Sequence, residues 1–411
     1  MTGLFDELTW RGLVHQISDP AVPELLDTGG VTAYIGFDPT ADSMHVGHLL
    51  QMCNLRRLRE AGHRVISLAG GATGMIGDPG GKSQERNLLG PDELAHNLAG
   101  IRAQLTAFLG DDAIFVDNSD WTAKVSVLEF LRDVGKHFTI NQMVAKDSVK
   151  SRIERPEQGI SYTEFSYMLL QAFDFLHLFD EYGCRLQMGA SDQWGNITMG
   201  VELIRKARGA EAYALTTPLV LKSDGTKFGK TETGAVWLDA ARTSPYELFQ
   251  FFVRADDGVV GTYLRYFTWL SRDEIDRLDK ATAAHPERRE AQLALAAEVT
   301  ALVHGAEAAA AARDAADALF ARGAVAADAP SSAVEATDLS GDGLLLIDVL
   351  AGVGLAASRS AARRDLEGGG VYVNGERQVD VDRRLISADL TDDGTIVLRR
   401  GKKRYHVLRT G

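Results

Sequence analysis

The first half of the chain alternates short β-branched runs with longer stretches of helical apolar spacing. No other feature limits the accessible folds as strongly. Residues 31–37, VTAYIGF, read as a strand, and Val46, Leu49, Leu50, Cys53 and Leu58 then recur at the spacing of one helix face. The strand signal returns in RVISLAGGATG (64–74) and AIFVDNS (113–119), and again in CRLQMGASDQWGN (184–196), each followed by a helical pattern. Strands separated by helical crossovers pair in parallel, which makes the expected fold class α/β with a doubly wound parallel sheet. In such sheets the ligand sits beyond the carboxyl ends of the strands, and the notable polar residues fall there.

A chain of 411 residues is too long for one ordinary core, so two or three domains are expected. Beyond about Ser244 the pattern becomes nearly all helical, with a long alanine-rich stretch. Residues 322–343 are small, acidic and turn-rich, as in a linker. Residues 344–411 read as two helices and then short strands, with hairpin signals at Asn374-Gly375 and Asp393-Gly394. Charge divides along the same line. From Gly343 onward twelve Lys and Arg stand against nine Asp and Glu; with −13 overall, the preceding 342 residues carry −16. An acidic body with a basic tail module suits an enzyme that holds a polyanion at one end. No apolar run approaches membrane-spanning length, and the N-terminal MTGLFDELTWRG lacks the apolar core of a secretory signal. Cys53 and Cys184 form no metal-ligand spacing. A cytoplasmic protein is the expectation.

Four segments carry chemistry. In YIGFDPTADSMHVGHL (34–49), His45 and His48 share a face at the start of a helix, where unpaired N–H groups and the dipole attract anions. Zinc would need a third ligand at zincin spacing, and none is nearby. Plain helix packing accounts for one histidine more readily than for two. The preceding Asp38-Pro39-Thr40 and the intervening Gly47, which allows a ring system close approach, tip the balance towards phosphate. The second segment, GGATGMIGDPGGKSQER (70–86), contains GGKS, but Ile76 stands where a P-loop needs glycine. Any flexible loop is glycine-rich; what raises the functional reading is Asp78, with Lys82 and Arg86 beyond it, placed to close over a departing polyphosphate. Third, SYTEFSYMLLQAFDFLHLF (161–179) is apolar over most of its surface, yet Tyr167, Gln171 and Asp174 form one polar row. A solvated stripe would more usually hold Lys or Glu, and buried polar groups need partners, so a ligand is favoured. Fourth, Lys227 and Lys230 flank Phe228-Gly229 where the sheet pattern stops; alone, two loop lysines are ordinary surface charge.

Together the segments resemble one family. HVGH resembles the HIGH element of class I aminoacyl-tRNA synthetases, and KFGKT their KMSKS loop in its tyrosine-branch form. YIGFDPTADSMHVGHL, GGATGMIGDP, YMLLQAFDF and GASDQWGN are similar to the corresponding elements of bacterial tyrosyl-tRNA synthetases, in the same order. The likeness spans essentially the whole chain, with Val46, Ile35 and Gln51 as minor departures. It implies a Rossmann-like catalytic domain over 1–217, with a dimer-interface insertion at about 118–180. A KFGKT loop and α-helical anticodon-side domain would follow over 218–321, then the 322–343 linker. The 344–411 module resembles a small α+β RNA-binding fold shared with a ribosomal small-subunit protein.

By that resemblance, tyrosine attacks the α-phosphate of ATP and the resulting tyrosyl-adenylate is transferred to the 3′ end of tRNA. Thr40 and His45 would contact the polyphosphate, with Lys82, Arg86, Lys227 and Lys230 closing on it. Gly36, Asp38, Gly47, His48 and Asp192, with Lys230, would hold ATP, accompanied by Mg2+ as counter-charge but with no protein-bound metal. Tyr34 and Asp174 are implied at the phenolic hydroxyl; Asp78, Tyr167 and Gln171 at the α-ammonium; and Gln193 near the carboxylate. In the tail module Arg359, Arg363, Arg364, Lys402, Lys403 and Arg404 would face tRNA(Tyr), and the chain is expected to be a homodimer. A tryptophan-specific relative would share fold and loops, and a synthetase-derived RNA-binding or splicing protein would keep the basic module while losing loop residues. The Tyr34/Asp174 pair and the intact histidines and lysines favour the tyrosine enzyme.

Overall fold

The structure, a computed structural model, describes residues 3–77, 90–110, 112–146, 149–150, 153, 160–226, 228–231, 234–321, 330–335, 337–391, 394–401 and 404–410. The chain divides into two compact units, one of residues up to Thr243 with Arg254–Leu295, the other of Ser244–Val253 with residues from Ala296 onward.

The first unit is built on six strands: β1 (Gln16–Ile17), β2 (Thr32–Phe37), β3 (Arg64–Ala69), β4 (Ile114–Asp117), β5 (Cys184–Ala190) and β6 (Tyr213–Thr217). Their order is β1-β6-β5-β2-β3-β4. β6, β5, β2, β3 and β4 run parallel, whereas β1 pairs antiparallel with β6. The sheet is therefore mixed at one edge. Gln-Ile is too short to register as a strand in the sequence, which is why the purely parallel expectation missed β1. From β2 the chain builds outward through β3 and β4, then returns to the other side of β2 with β5. That reversal opens a crevice at the carboxyl ends of β2 and β5.

The helices Val46–Glu60 and Pro91–Leu109 pack against β3, and Tyr162–Tyr182 and Trp194–Arg208 against β5. The Tyr162–Tyr182 helix starts on a capping box, Ser161 accepting from Glu164 N at 3.2 Å while Glu164 accepts from Ser161 N at 3.1 Å. It stops at Gly183, which takes φ 63° at no steric cost. Met168, Leu169, Ala172, Phe175, Leu176 and Leu178 from this helix join Tyr34, Met199 and Leu203 in a buried cluster. Beyond β6, β7 (Lys230–Thr231) and β8 (Gly234–Ala235) form a short hairpin. The helices Asp257–Phe267 and Arg272–Ala284 belong to this same unit.

In the second unit, Pro245–Val253 packs against the alanine-rich helix Ala306–Ala321. β9 (Ser331–Val334) lies inside the segment read as linker, yet it pairs parallel with the last strand of the chain. Its SSAV sequence looks like a turn, and only the edge offered by a distant strand makes it β structure. Then come β10 (Leu344–Leu345), the helices Leu346–Gly352 and Arg359–Glu367, β11 (Val371–Val373), β12 (Glu376–Gln378), β13 (Arg384–Leu385), β14 (Thr395–Arg400) and β15 (Arg404–Thr410). The order β12-β11-β14-β15-β9 makes a five-stranded sheet over a core of Leu346, Leu350, Leu366, Val371, Ile396 and Leu398. Asn374 and Gly375 take φ 49° and 86° between β11 and β12, the turn expected there. Gly394 also closes a tight turn, its N donating to Thr391 O at 2.8 Å while Thr391 N donates to Thr395 O at 2.9 Å, and β14 then pairs antiparallel with β15. Gly394 precedes β14, and Asp393 lies outside the described residues.

Candidate active site

His45 caps the Val46–Glu60 helix while its own backbone is still extended, φ −128° and ψ 168°. Its Nδ1 accepts from Gly47 N at 3.0 Å, and His48 Nδ1 accepts from His45 N at 3.3 Å. With both Nδ1 atoms accepting, each ring carries its proton on Nε2. The rings stack with centroids 3.9 Å apart and planes 17° from parallel. Desolvation, and then the neighbouring His45, lower His48 to a pKa of about 3, so the ring is a neutral donor at physiological pH. A Cβ on Gly47 would stand 2.7 Å from His45 Cε1, so a side chain there would displace the capping ring.

The KFGKT segment docks on this helix start. Gly229, at φ 99°, lies so close that a Cβ would come within 3.1 Å of Gly47 N. Val236 N donates to Gly229 O at 3.3 Å, Val46 N to Val236 O at 2.9 Å, and Leu238 N to Met44 O at 2.8 Å. His45 and Trp237 form an antiparallel bridge. The side chains of Lys227 and Lys230, and all of Asp78, Lys82 and Arg86, lie outside the described residues.

Deeper in, one polar network runs from β2 to β4 and onto the Tyr162–Tyr182 helix. Tyr167 OH donates to Asp38 Oδ2 at 3.1 Å, and Thr73 Oγ1 to Asp38 Oδ1 at 3.0 Å. Asn118 Nδ2 reaches Thr73 Oγ1 at 3.1 Å and Asp174 Oδ2 at 2.9 Å, while Trp121 Nε1 donates to Asp174 Oδ1 at 2.9 Å. Asp174 is 2% exposed. Desolvation raises its pKa to about 7, opposed by the hydrogen bonds from Asn118 and Trp121 and assisted by the charges of Asp38 and Asp117. Tyr34, 1% exposed, has a hydroxyl with no hydrogen-bond partner among the described residues. Burial, then the charge of Asp174, pushes its pKa up. A buried hydroxyl left unpaired is costly, and a ligand hydroxyl placed beside it would remove the penalty.

These groups converge on a cavity of about 400 Å³ at the β2/β5 crevice. Of the residues expected from the sequence, Tyr34, Gly36, Asp38, His45, Gly47, His48, Tyr167, Gln171, Asp174, Asp192 and Gln193 line it. Thr40 does not; it sits on the exposed turn after Asp38, its N donating to Asp38 O at 2.9 Å. Asp38, expected with the nucleotide, is bonded to Tyr167 and so joins the two halves of the cavity. Gln171 and Gln193 are held together by Asn196, whose Nδ2 donates to their oxygens at 3.2 and 3.3 Å. The sequence reading missed Asn118, Trp121, Thr73, Gln187 and Asn196. The signal for the first two was the polar DNSDW run at the carboxyl end of β4, where ligand-facing residues belong.

In the second unit Arg363 and Arg364 are exposed on the Arg359–Glu367 helix, whereas Arg359 is ion-paired with Asp348. Arg404 is exposed at the start of β15; Lys402 and Lys403 lie outside the described residues. The Arg399 guanidinium lies 3.5 Å from the Tyr372 ring centroid, a cation on an aromatic face that sequence reading passed over.

The profile of "tRNA synthetases class I (W and Y)" matches residues 27–321, and that of "Tyrosine--tRNA ligase SYY-like C-terminal domain" matches 324–408. The chain is 54% identical to the tyrosine–tRNA ligase of Roseiflexus castenholzii over 425 aligned positions, covering 100% of both chains. To that of Geobacillus stearothermophilus it is 50% identical, covering 99% of each. Among solved structures, a C-terminally truncated mitochondrial tyrosyl-tRNA synthetase from Aspergillus nidulans superposes with a TM-score of 0.70 at 34% identity, over 78% of this chain and 95% of that one. A tryptophanyl-tRNA synthetase from Encephalitozoon cuniculi, at 16% identity and a TM-score of 0.54 over 75% of this chain and 87% of that one, shares the fold.

Proposed function

The chain belongs to the class I tRNA synthetases of the tryptophan and tyrosine group, and from that membership we propose how its cavity divides between amino acid and nucleotide. It acts as a tyrosine–tRNA ligase: tyrosine carboxylate attacks the α-phosphate of ATP, pyrophosphate leaves, and the terminal ribose hydroxyl of tRNA then takes the tyrosyl group. Neither step needs a protein nucleophile, so the residues act by positioning and by stabilising charge.

Tyrosine lies in the deep end, its phenol between Tyr34 and Asp174. The observation that carries this reading is the buried Tyr34 hydroxyl, unpaired among the described residues, in the same cavity as a carboxylate fixed from behind by Asn118 and Trp121. Each Asp174 oxygen already accepts one bond and keeps a lone pair for the substrate. The α-ammonium is held by Tyr167 and Gln171, together with Asp78, and Gln193 lies towards the carboxylate. The shallow end takes ATP: Gly36, Gly47, His48 and Asp192 against the nucleoside, Asp38 shared with the amino-acid side, and neutral His45 donating from Nε2 to phosphate. Lys82, Arg86, Lys227 and Lys230 balance the charge of departing pyrophosphate, with Thr40 at the rim. Mg2+ travels with the nucleotide, whose phosphates supply its ligands; among the described residues no group of three or more His, Cys, Asp or Glu side chains is arranged to hold a metal.

Two further assignments belong to the same reading. The chain pairs with a second copy through the face carrying Val127, Leu128 and Ile140, which are 74%, 80% and 63% exposed. Arg363, Arg364 and Arg404, with Lys402 and Lys403, contact tRNA phosphates, a contribution that salt weakens and that carries little base specificity. No described helix is long and apolar enough to cross a membrane, and the cytoplasm is the proposed setting. Pyrophosphate exchange driven by each of the twenty amino acids tests the functional reading. Exchange with tyrosine alone is expected, and exchange driven by tryptophan would overturn it.

A further inference from the structure

We propose that Tyr263, with Phe267, anchors the loop leading into the KFGKT segment and fixes that segment against the HVGH helix, which makes Tyr263 a positioning residue for adenylate formation. The inference rests on the nucleotide end of the cavity assigned above. Leu219, Val220, Phe228 and Gly229 form one wall of the cavity. One bond within that wall and three contacts from behind hold it. Tyr263 OH donates to Leu221 O at 2.7 Å, and Phe228 N donates to Val220 O at 3.1 Å. The Phe228 ring, 8% exposed, stacks on Phe267 at 5.6 Å and 23° and meets Tyr263 edge-on at 4.9 Å. An apolar pivot thus sits between the two lysine positions, next to a glycine at φ 99° that touches Gly47.

The anchor is itself tied to the HVGH helix. Arg57, near that helix's end, donates through Nη2 to Tyr266 O at 2.8 Å and Thr268 O at 3.1 Å. Arg11 adds bonds to Arg265 O at 3.0 Å and Thr268 O at 2.9 Å. Two buried guanidiniums therefore cap the carbonyl end of the Asp257–Phe267 helix, where the dipole is negative. The start of the HVGH helix touches Gly229, and its far end fixes the helix that holds Phe228. This closed frame sets the register between the two nucleotide-binding motifs. Simple core packing would explain the rings but not the hydroxyl, which is spent on a loop carbonyl.

Tyr263→Phe removes that hydroxyl alone, and Tyr263→Leu removes the ring. Three quantities are read: amide hydrogen exchange of residues 219–226 without ligand, tyrosine Kd without ATP, and the single-turnover rate of adenylate formation. Tyr263→Phe should slow adenylate formation about two- to ten-fold, the effect of one buried hydrogen bond, and Tyr263→Leu by more. Both should speed exchange at 219–226 while tyrosine Kd stays within about two-fold, because the amino-acid end is untouched. Unchanged exchange at 219–226 would overturn the proposal, as would exchange that rises across the whole protein or tyrosine affinity that falls with the rate. If the unaltered protein shows no tyrosine-dependent pyrophosphate exchange, the functional reading fails, and protection of 219–226 still decides the anchor.

Discussion

Replacing Trp121 by phenylalanine keeps a ring in place and deletes one donor, the indole N–H 2.9 Å from Asp174 Oδ1. That bond favours the ionised carboxylate, which burial already disfavours enough to bring its pKa to about 7. A hydrogen bond to a charged group contributes about 1.5–3 kcal/mol, so its loss raises the pKa by roughly one to two units. Asp174 is protonated below its pKa, and only the ionised form offers the phenol a charge-assisted bond. Tyrosine affinity therefore rises with pH through about 7 in the unaltered protein, and through about 8 to 9 in Trp121→Phe. Near pH 7.5 roughly three-quarters of Asp174 is ionised before the change, and roughly a quarter or less after it. The expected loss of tyrosine affinity there is about three- to 25-fold, shrinking to about four-fold or less by pH 8.5. Equilibrium dialysis of labelled tyrosine without ATP, between about pH 6 and 8.5, measures it below the range in which the ligand's own phenol titrates. A loss of the same size at every pH would refute the reasoning, because it would assign Trp121 to packing alone.

Gly229→Ala places a Cβ 3.1 Å from Gly47 N at φ 99°, a strain of about 1–3 kcal/mol, so adenylate formation should slow markedly in stopped-flow while tyrosine Kd is unchanged. Leu128→Glu puts a charge on the exposed apolar face, and light scattering should show the proposed dimer shifting to monomer in a protein that stays folded by circular dichroism. Ending the chain after Ala321 should leave pyrophosphate exchange intact and strongly reduce tRNA charging at physiological salt; the cut falls there because β9 belongs to the C-terminal sheet.

Local patterning in the sequence reaches a definite part of the fold and of the site. Alternating strands and helices locate β2, β3, β4 and β5, and the polar row Tyr167, Gln171, Asp174 stands out on an apolar helix because a solvated stripe would more usually hold Lys or Glu. β1 and β9 are not legible, since each is a short piece made β by the strand it meets. Nor can spacing show that Asp174 is held by Asn118 and Trp121, more than fifty residues away. The stacking of His45 on His48 is hidden for a different reason: it depends on His45 itself capping the helix start, where residue spacing alone points to a bound anion.

Asp174 and Tyr34 are the residues proposed to read the phenolic hydroxyl, and Asp174→Asn tests that role with the least disturbance of shape. Steady-state pyrophosphate exchange should be measured with tyrosine and with phenylalanine, in both proteins, on samples shown to be folded. The substitution removes a charge-assisted bond that only tyrosine makes, so kcat/KM for tyrosine should fall about ten- to 150-fold while that for phenylalanine stays within about two-fold. Equal losses for both amino acids, or an unchanged ratio between them, would contradict the assignment.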